Sequence, residues 1–200
     1  MTSMMKTILA GTLIVGLLGC AGRDFVRPDA NALKNGQTTY AEATATLGKP
    51  FAEGSVTKND KTVKHVSFAY ASLGGKPVKE GVVPARAIGL YFYNDTLVGY
   101  EFISSWAEDN TDFDEGKTNQ IVKGTTTQAD VVRLLGKPSG YAIYPMIKAA
   151  TGQAAVYTYM EVSGGPFTSR KVYRKGLVVT FDDQGIVTDV DFSSTGSRQQ

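Results

Sequence analysis

The stretch GQTTYAEATATLGKP at residues 36–50 is repeated, 88 residues later, as GTTTQADVVRLLGKP at residues 124–138. Both copies begin with a glycine, Gly36 and Gly124, and both end in Leu-Gly-Lys-Pro. Chance would hardly produce the shared ending together with upstream matches at the same offset. An internal repeat of this kind indicates a chain built from two related structural units.

Each copy of the repeat predicts one short helix. A threonine at the N-cap position is followed three residues later by an acid, which is the spacing of a capping box. After the last leucine, a glycine can adopt the left-handed conformation that ends a helix, and the proline two residues later prevents the helix from resuming. The capping and terminating residues are Thr39, Glu42, Gly48 and Pro50 in the first copy and Thr127, Asp130, Gly136 and Pro138 in the second.

Segments with strand character follow each helix, and short polar turns join them. These segments are residues 63–71, 88–93 and 97–104 in the first half and residues 154–162, 177–181 and 186–192 in the second. Within one of them, Tyr100 and Phe102 alternate with Glu101, which places the two aromatic side chains on one face. Helices this short are not stable alone, so we expect each to pack on a sheet.

The sequence therefore predicts an α+β fold of two tandem units, each with short helices packed on a three- to four-stranded antiparallel sheet. We expect the first unit at residues 32–107, the second at residues 121–195 and a tail at residues 196–200. Residues 108–120 are polar and largely unpatterned. We interpret them as a linker whose acidic side chains are solvated rather than bound to a metal ion.

The first residues have the order of parts found in bacterial lipoprotein precursors. Lys6 precedes an apolar run at residues 8–18, which at eleven residues is too short to span a bilayer as a helix. The run ends in Leu-Leu-Gly-Cys, which resembles the lipobox of those precursors. We therefore predict that a signal peptide, residues 1–19, is removed, that acyl chains are attached to Cys20, and that residues 20–31 form a lipidated tether.

Other features of the sequence indicate which membrane holds the protein and exclude several kinds of partner and site. Ala21 rather than an aspartate follows the cysteine, which favours the outer membrane, with the folded part on the periplasmic face. A net charge of +2 argues against a nucleic-acid partner. One cysteine and one histidine, His65, exclude a site built from several such ligands. No catalytic motif is present, so we expect no enzymatic activity, cofactor or metal; a hydrolase that uses acidic residues is an alternative that no motif places.

Two long loops are candidates for recognition, because binding residues are often carried on loops. Residues 72–87 are rich in glycine and proline, and residues 140–152 are largely apolar. The candidate partner-binding residues in the second loop are Tyr141, Ile143, Tyr144 and Met146. These side chains form either an exposed contact patch or an extra element of the core, and the residues alone leave both interpretations open.

The repeated motif, the strands that end in an aromatic residue and the lipobox together resemble the SmpA/OmlA (BamE-like) family of outer-membrane lipoproteins. The resemblance implies a protein-binding or scaffold module in outer-membrane assembly or envelope maintenance. Its implied partners are the membrane, through the lipid on Cys20, and an envelope protein, with the barrel-assembly machine as the first candidate. Two units in one chain are closer to the architecture of β-lactamase inhibitory protein, which implies an alternative function, the capture of a periplasmic or secreted enzyme.

Overall fold

The computed structural model describes residues 23–29, 31–72, 74–164 and 169–198. The expected signal peptide and Cys20 lie outside these residues, as do the last two residues of the expected tail. No helix within the described ranges is long and apolar enough to cross a bilayer.

The described residues form eight antiparallel strands, which pair in chain order, with two short α-helices and one 3-10 helix. The first half consists of α1 (Tyr40–Leu47), β1 (Ala52–Lys58), β2 (Lys61–Ala71), β3 (Ala85–Tyr93) and β4 (Thr96–Ser104). The 3-10 helix (Glu115–Gln120) lies between the halves. The second half consists of α2 (Gln128–Leu135), β5 (Gly140–Ala142), β6 (Gln153–Ser163), β7 (Lys171–Phe181) and β8 (Val187–Gly196).

The eight strands belong to one curled sheet, so the prediction of two tandem α+β units is wrong. Strands make up 45% of the structure and helices only 13%, so the helices are minor additions to a continuous sheet. The halves join through β5, a strand of three residues. Gly99 on β4 pairs with Ala142, and Gly140 pairs with Val156 on β6.

A close backbone approach at Gly140 makes this junction possible. A Cβ atom there would lie 1.8 Å from the carbonyl oxygen of Tyr100, so a larger residue would push β5 away from β4. Just before β5, the carbonyl oxygen of Ser139 accepts a hydrogen bond from the backbone N–H of Phe102 at 2.9 Å. The halves are therefore hydrogen-bonded to each other by backbone groups that carry no sequence signature.

Both copies of the repeat begin a helix in the way that their spacing predicts. The N–H of Glu42 donates to the Thr39 hydroxyl, and the Glu42 carboxylate accepts from the N–H of Thr39 at 2.8 Å. Thr127 and Asp130 form the same reciprocal pair at α2, where the N–H of Thr127 donates at 3.0 Å. These bonds satisfy backbone donors that the first turn of a helix leaves without partners.

The glycines that end the two helices do not adopt the expected left-handed helical conformation. Gly48 has φ 84° and ψ −154°, and Gly136 has φ 84° and ψ −165°. This combination is open essentially to glycine alone. An extended ψ directs the chain away from the helix and toward the next strand, whereas the expected conformation would turn it back over the helix end.

The two helices lie on one face of the sheet, which we call the helix face. Ala43 of α1 packs into one apolar cluster and Val131 of α2 into another. The strand residues in these clusters include Val66, Ile88 and Phe102 in the first half and Tyr157, Leu177 and Val179 in the second. Glu101 lies on the opposite face from Phe102, as their alternation predicts.

The apolar loop after β5 belongs to the core. Met146 and Ile147 are buried in a third cluster, where they pack with Tyr91. Ile143 is partly buried against the same cluster, and Tyr141 is partly buried against the cluster around α2. The extra core element is therefore the correct interpretation of this loop, and it does not form an exposed patch.

Two buried cations hold the segment between the halves. Arg86 pairs with Asp109 at 2.8 Å, and Lys175 pairs with Asp112 at 2.7 Å. The Arg86 and Lys175 side chains are only 2% and 1% exposed, so they need carboxylate partners. The prediction of a solvated acidic linker is therefore wrong for Asp109 and Asp112.

Three described residues of the expected tether, Asp24, Phe25 and Arg27, also contact the fold. Asp24 pairs with Arg86 at 3.1 Å. The ring of Phe25 packs edge-on against the ring of Phe102 in the first cluster, with centroids 6.4 Å apart. Arg27 donates a hydrogen bond to the carbonyl oxygen of Pro138, in the second half. The N-terminal segment therefore contacts both halves of the sheet.

Candidate binding groove on the face opposite the helices

A row of small side chains crosses the face of the sheet opposite the helices, which we call the groove face. Neighbouring strands align Ser67, Gly89, Glu101, Thr158 and Gly176 in this row. We call this row of short side chains, together with the small cavity beside Glu101, the groove. Half-buried side chains stand beside it: His65, Met160 and Arg174.

Glu101 is buried at the centre of the groove floor and accepts two hydrogen bonds. The Tyr91 hydroxyl donates to Oε1 at 3.2 Å, and the Thr158 hydroxyl donates to Oε2 at 3.1 Å. Burial raises the pKa of Glu101 above its ordinary value; the charges of Arg174 and Lys58 and the two hydrogen bonds oppose this effect without cancelling it. The carboxyl is therefore held in a fixed position and stays protonated to a higher pH than a surface glutamate.

His65 forms one wall of the groove. Its ring stacks on Tyr91, with centroids 4.7 Å apart and an interplanar angle of 16°. Burial lowers the pKa of His65, so the imidazole is neutral at neutral pH. The absence of a side chain at Gly89 makes room for the ring, since a Cβ atom there would lie 3.2 Å from Nε2 of His65.

An exposed apolar residue extends the groove face beyond Arg174. Val172 on β7 is 51% exposed and pairs across the strands with Val162 on β6. It lies two residues from Arg174 on the same strand, so both side chains project from the same face. This part of the surface thus places one exposed apolar side chain near a half-buried cation.

The space within the groove is too small for an organic substrate. The cavity beside Glu101 has a volume of about 20 Å³, which is room for roughly one water molecule. Pockets for small molecules are usually at least about 300 Å³. Within the described ranges, no cluster of three or more His, Cys, Asp or Glu residues could hold a metal ion. The cavity beside Glu101 therefore has room for a water molecule and for nothing larger.

The residues that the sequence predicted as motif or partner-binding positions do not line this groove. Gly36 and Gly124 donate backbone hydrogen bonds to the carbonyl oxygens of Leu97 and Val187, at 2.8 and 2.7 Å. The other repeat residues cap or end the two helices: Thr39, Glu42, Gly48, Pro50, Thr127, Asp130, Gly136 and Pro138. The candidate partner-binding residues Tyr141, Ile143 and Tyr144 are half-buried, and Met146 is buried. The structure therefore brings none of these residues together into a site.

Sequence reasoning missed the groove, although one signal was present. Glu101 is a single acid in a strand that is otherwise mostly apolar. Its partners Tyr91 and Thr158 lie on two different strands, and Thr158 is 57 residues away. A spacing argument within one strand could not have placed these three side chains together.

No protein-family model, curated protein or solved structure matches this chain. The resemblance to the SmpA/OmlA family therefore stays a prediction.

Proposed function

We propose that this chain is a lipid-anchored protein of the outer membrane that faces the periplasm and acts as a protein-binding or scaffold module in outer-membrane assembly or envelope maintenance. The lipobox-like ending at Cys20 supports the anchor. The N-terminal segment supports a position close to the bilayer, because it joins the fold as early as Asp24.

The side chains of the groove face are the observation that supports a protein-binding role. The groove face offers a half-buried cation at Arg174 and an exposed apolar side chain at Val172, next to a floor in which the buried Glu101 carboxyl is held by Tyr91 and Thr158. A protein laid across this face would remove Val172 from water and could form hydrogen bonds with the polar groups beside it. The small cavity argues against an enzyme with an organic substrate in the groove.

Site-specific photo-cross-linking in the intact bacterial envelope tests the binding role. A photoreactive amino acid would replace Met160 or Val172 on the groove face, and Ala45, exposed on α1, would be the control on the helix face. We expect the groove positions, but not Ala45, to cross-link to a membrane-bound envelope protein, and identification by mass spectrometry would show whether it belongs to the barrel-assembly machine. Cross-linking to one soluble enzyme would favour the inhibitor alternative. Equal or absent cross-linking at the three positions would refute a binding groove.

The lipid anchor has a separate test. Mass spectrometry of the mature protein should show an acylated N-terminal residue at Cys20, and Cys20→Ala should leave an uncleaved or soluble product. A bare thiol on the mature wild-type protein would contradict the anchor whatever the groove binds.

A further inference from the structure

The first copy of the repeat ends at an open crevice beside the N-terminal segment. Lys49, Pro50 and Phe51 line this crevice together with Arg23 and Phe25, and its volume is about 260 Å³. Phe51 is 48% exposed, and the basic side chains of Arg23 and Lys49, which line the same crevice, are exposed as well. The crevice therefore presents an exposed aromatic ring together with two cations.

The corresponding turn in the second copy is buried. Ser139, at the position that corresponds to Phe51, is buried, and its carbonyl oxygen accepts a hydrogen bond from Phe102. The carbonyl oxygen of Pro138 is bound by Arg27. One exposed apolar residue is common on a protein surface and needs no explanation by itself. The contrast shows, however, that this turn can be buried, and that the first copy instead exposes a large apolar side chain.

The position of the crevice relative to the proposed anchor indicates what would cover it. Two residues, Ala21 and Gly22, lie between Cys20 and Arg23, and the three residue-to-residue steps span at most about 11 Å. An acylated Cys20 would lie at the edge of the hydrocarbon, and the headgroup layer above it is roughly 5–8 Å thick. Arg23 and the crevice that it lines are thus confined to the neighbourhood of the lipid headgroups.

We propose that the crevice is a membrane-contacting surface, in which Phe51 enters the boundary between headgroups and acyl chains while Arg23 and Lys49 contact lipid phosphates. Aromatic residues flanked by basic ones are the combination that peripheral membrane segments use. The proposal rests on the lipid anchor of the proposed function. It adds an orientation, because β1 then lies next to the bilayer and β8 lies on the far side of the sheet, up to ~34 Å away at a strand spacing of about 4.8 Å.

Depth-dependent quenching in vesicles tests this orientation on the full lipidated protein. Cys20 is the only cysteine in the chain, so a cysteine introduced into the lipidated protein is its single free thiol. Phe51→Cys and Phe192→Cys would each carry the same fluorescent label. Phe192 is the matched control, since it is an exposed phenylalanine at 38% and lies on β8. The vesicles would contain phosphatidylcholine with brominated acyl chains, with or without an anionic phospholipid.

We expect quenching at position 51 to exceed quenching at position 192 several-fold, and to increase when anionic lipid is present. Adding Lys49→Glu should reduce quenching at position 51, whereas Lys137→Glu, at the same place in the second copy, should not. Equal quenching at positions 51 and 192, or none at 51 in protein that floats with the vesicles, would overturn the membrane contact while leaving the anchor intact. Protein that does not float with the vesicles would overturn both proposals.

Discussion

Arg86 is held by three carboxylates that differ greatly in exposure, and this difference leads to a graded prediction. The Asp109 side chain is 16% exposed, whereas those of Asp24 and Glu108 are 57% and 67% exposed. Burial alone would lower the pKa of Arg86, but the charges and hydrogen bonds of Asp109 and Glu108 more than offset it and hold this pKa above its ordinary value. We therefore expect Asp109→Ala to destabilise the fold far more than Asp24→Ala or Glu108→Ala.

The magnitudes follow from what each substitution leaves behind. Exposed ion pairs contribute at most about 1 kcal/mol, so Asp24→Ala and Glu108→Ala should each lower the free energy of unfolding by no more than that. Asp109→Ala removes the acceptor of the Arg86 Nε–H at 2.8 Å and of the Ser104 hydroxyl at 2.5 Å. A buried charge that loses its main partner costs about 3 kcal/mol or more.

Urea unfolding of the purified variants at neutral pH measures these differences. Trp106, the only tryptophan, lies 4.3 Å from the Arg86 guanidinium and reports on this region, while circular dichroism reports on the whole sheet. A double variant, Arg86→Met with Asp109→Ala, should recover part of the stability lost in Asp109→Ala alone, because it removes the unpaired charge. Similar losses for Asp24→Ala and Asp109→Ala, or a double variant less stable than the single one, would refute the reasoning.

Three further predictions concern the junction, a helix cap and the groove. Gly140→Ala should lower the free energy of unfolding by more than about 3 kcal/mol, or prevent folding, because its Cβ would lie 1.8 Å from the carbonyl oxygen of Tyr100. Gly124→Ala is the control, since a Cβ there meets open space and only the positive φ is unfavourable. In the same urea assay it should lower the free energy of unfolding by about 1 kcal/mol. Thr127→Ala should lower the free energy of unfolding by about 1 kcal/mol through loss of the N-cap, and a loss near zero would contradict the cap. The raised pKa of Glu101 means that its ionisation opposes folding, so wild type should lose stability relative to Glu101→Gln as pH rises above the ordinary carboxyl value of 4.5. A difference between these two proteins that does not change with pH would contradict that account.

The helices could be predicted from the sequence because their determinants are local. Thr39 and Glu42 are three residues apart, and the hydrogen bonds between them depend on nothing outside one helical turn. The six longer strands could also be located from alternation and turn signals, although their ends were not all placed correctly. Two strands were missed for different reasons. β1 (Ala52–Lys58) contains one large apolar residue, Val56, and β5 (Gly140–Ala142) is too short to show a period.

The single sheet and the buried charges could not be predicted, because they depend on contacts across long stretches of chain. The sequence assigned Arg86 to the loop at residues 72–87 and placed Lys175 outside its predicted strands, and a cation at such positions normally faces solvent. Their partners Asp109 and Asp112 are 23 and 63 residues away along the chain. The composition of the acidic segment at residues 108–120 predicts that it is solvated. The burial of Asp109 and Asp112 can be inferred only when Arg86 and Lys175 are known to lie on the helix face.

The asymmetry between the two copies bears on how many partners the protein can bind. The turn after the second helix is buried at Ser139 and is bound by the N-terminal segment, whereas the turn after the first helix exposes Phe51. The groove lies where strands of both halves meet, with Glu101 from the first half bonded to Thr158 from the second. Neither half alone contains the whole groove, so the repeat does not supply two equivalent sites. We therefore expect one partner molecule per chain, and a complex with two identical partners bound to one chain would contradict a site built from both halves.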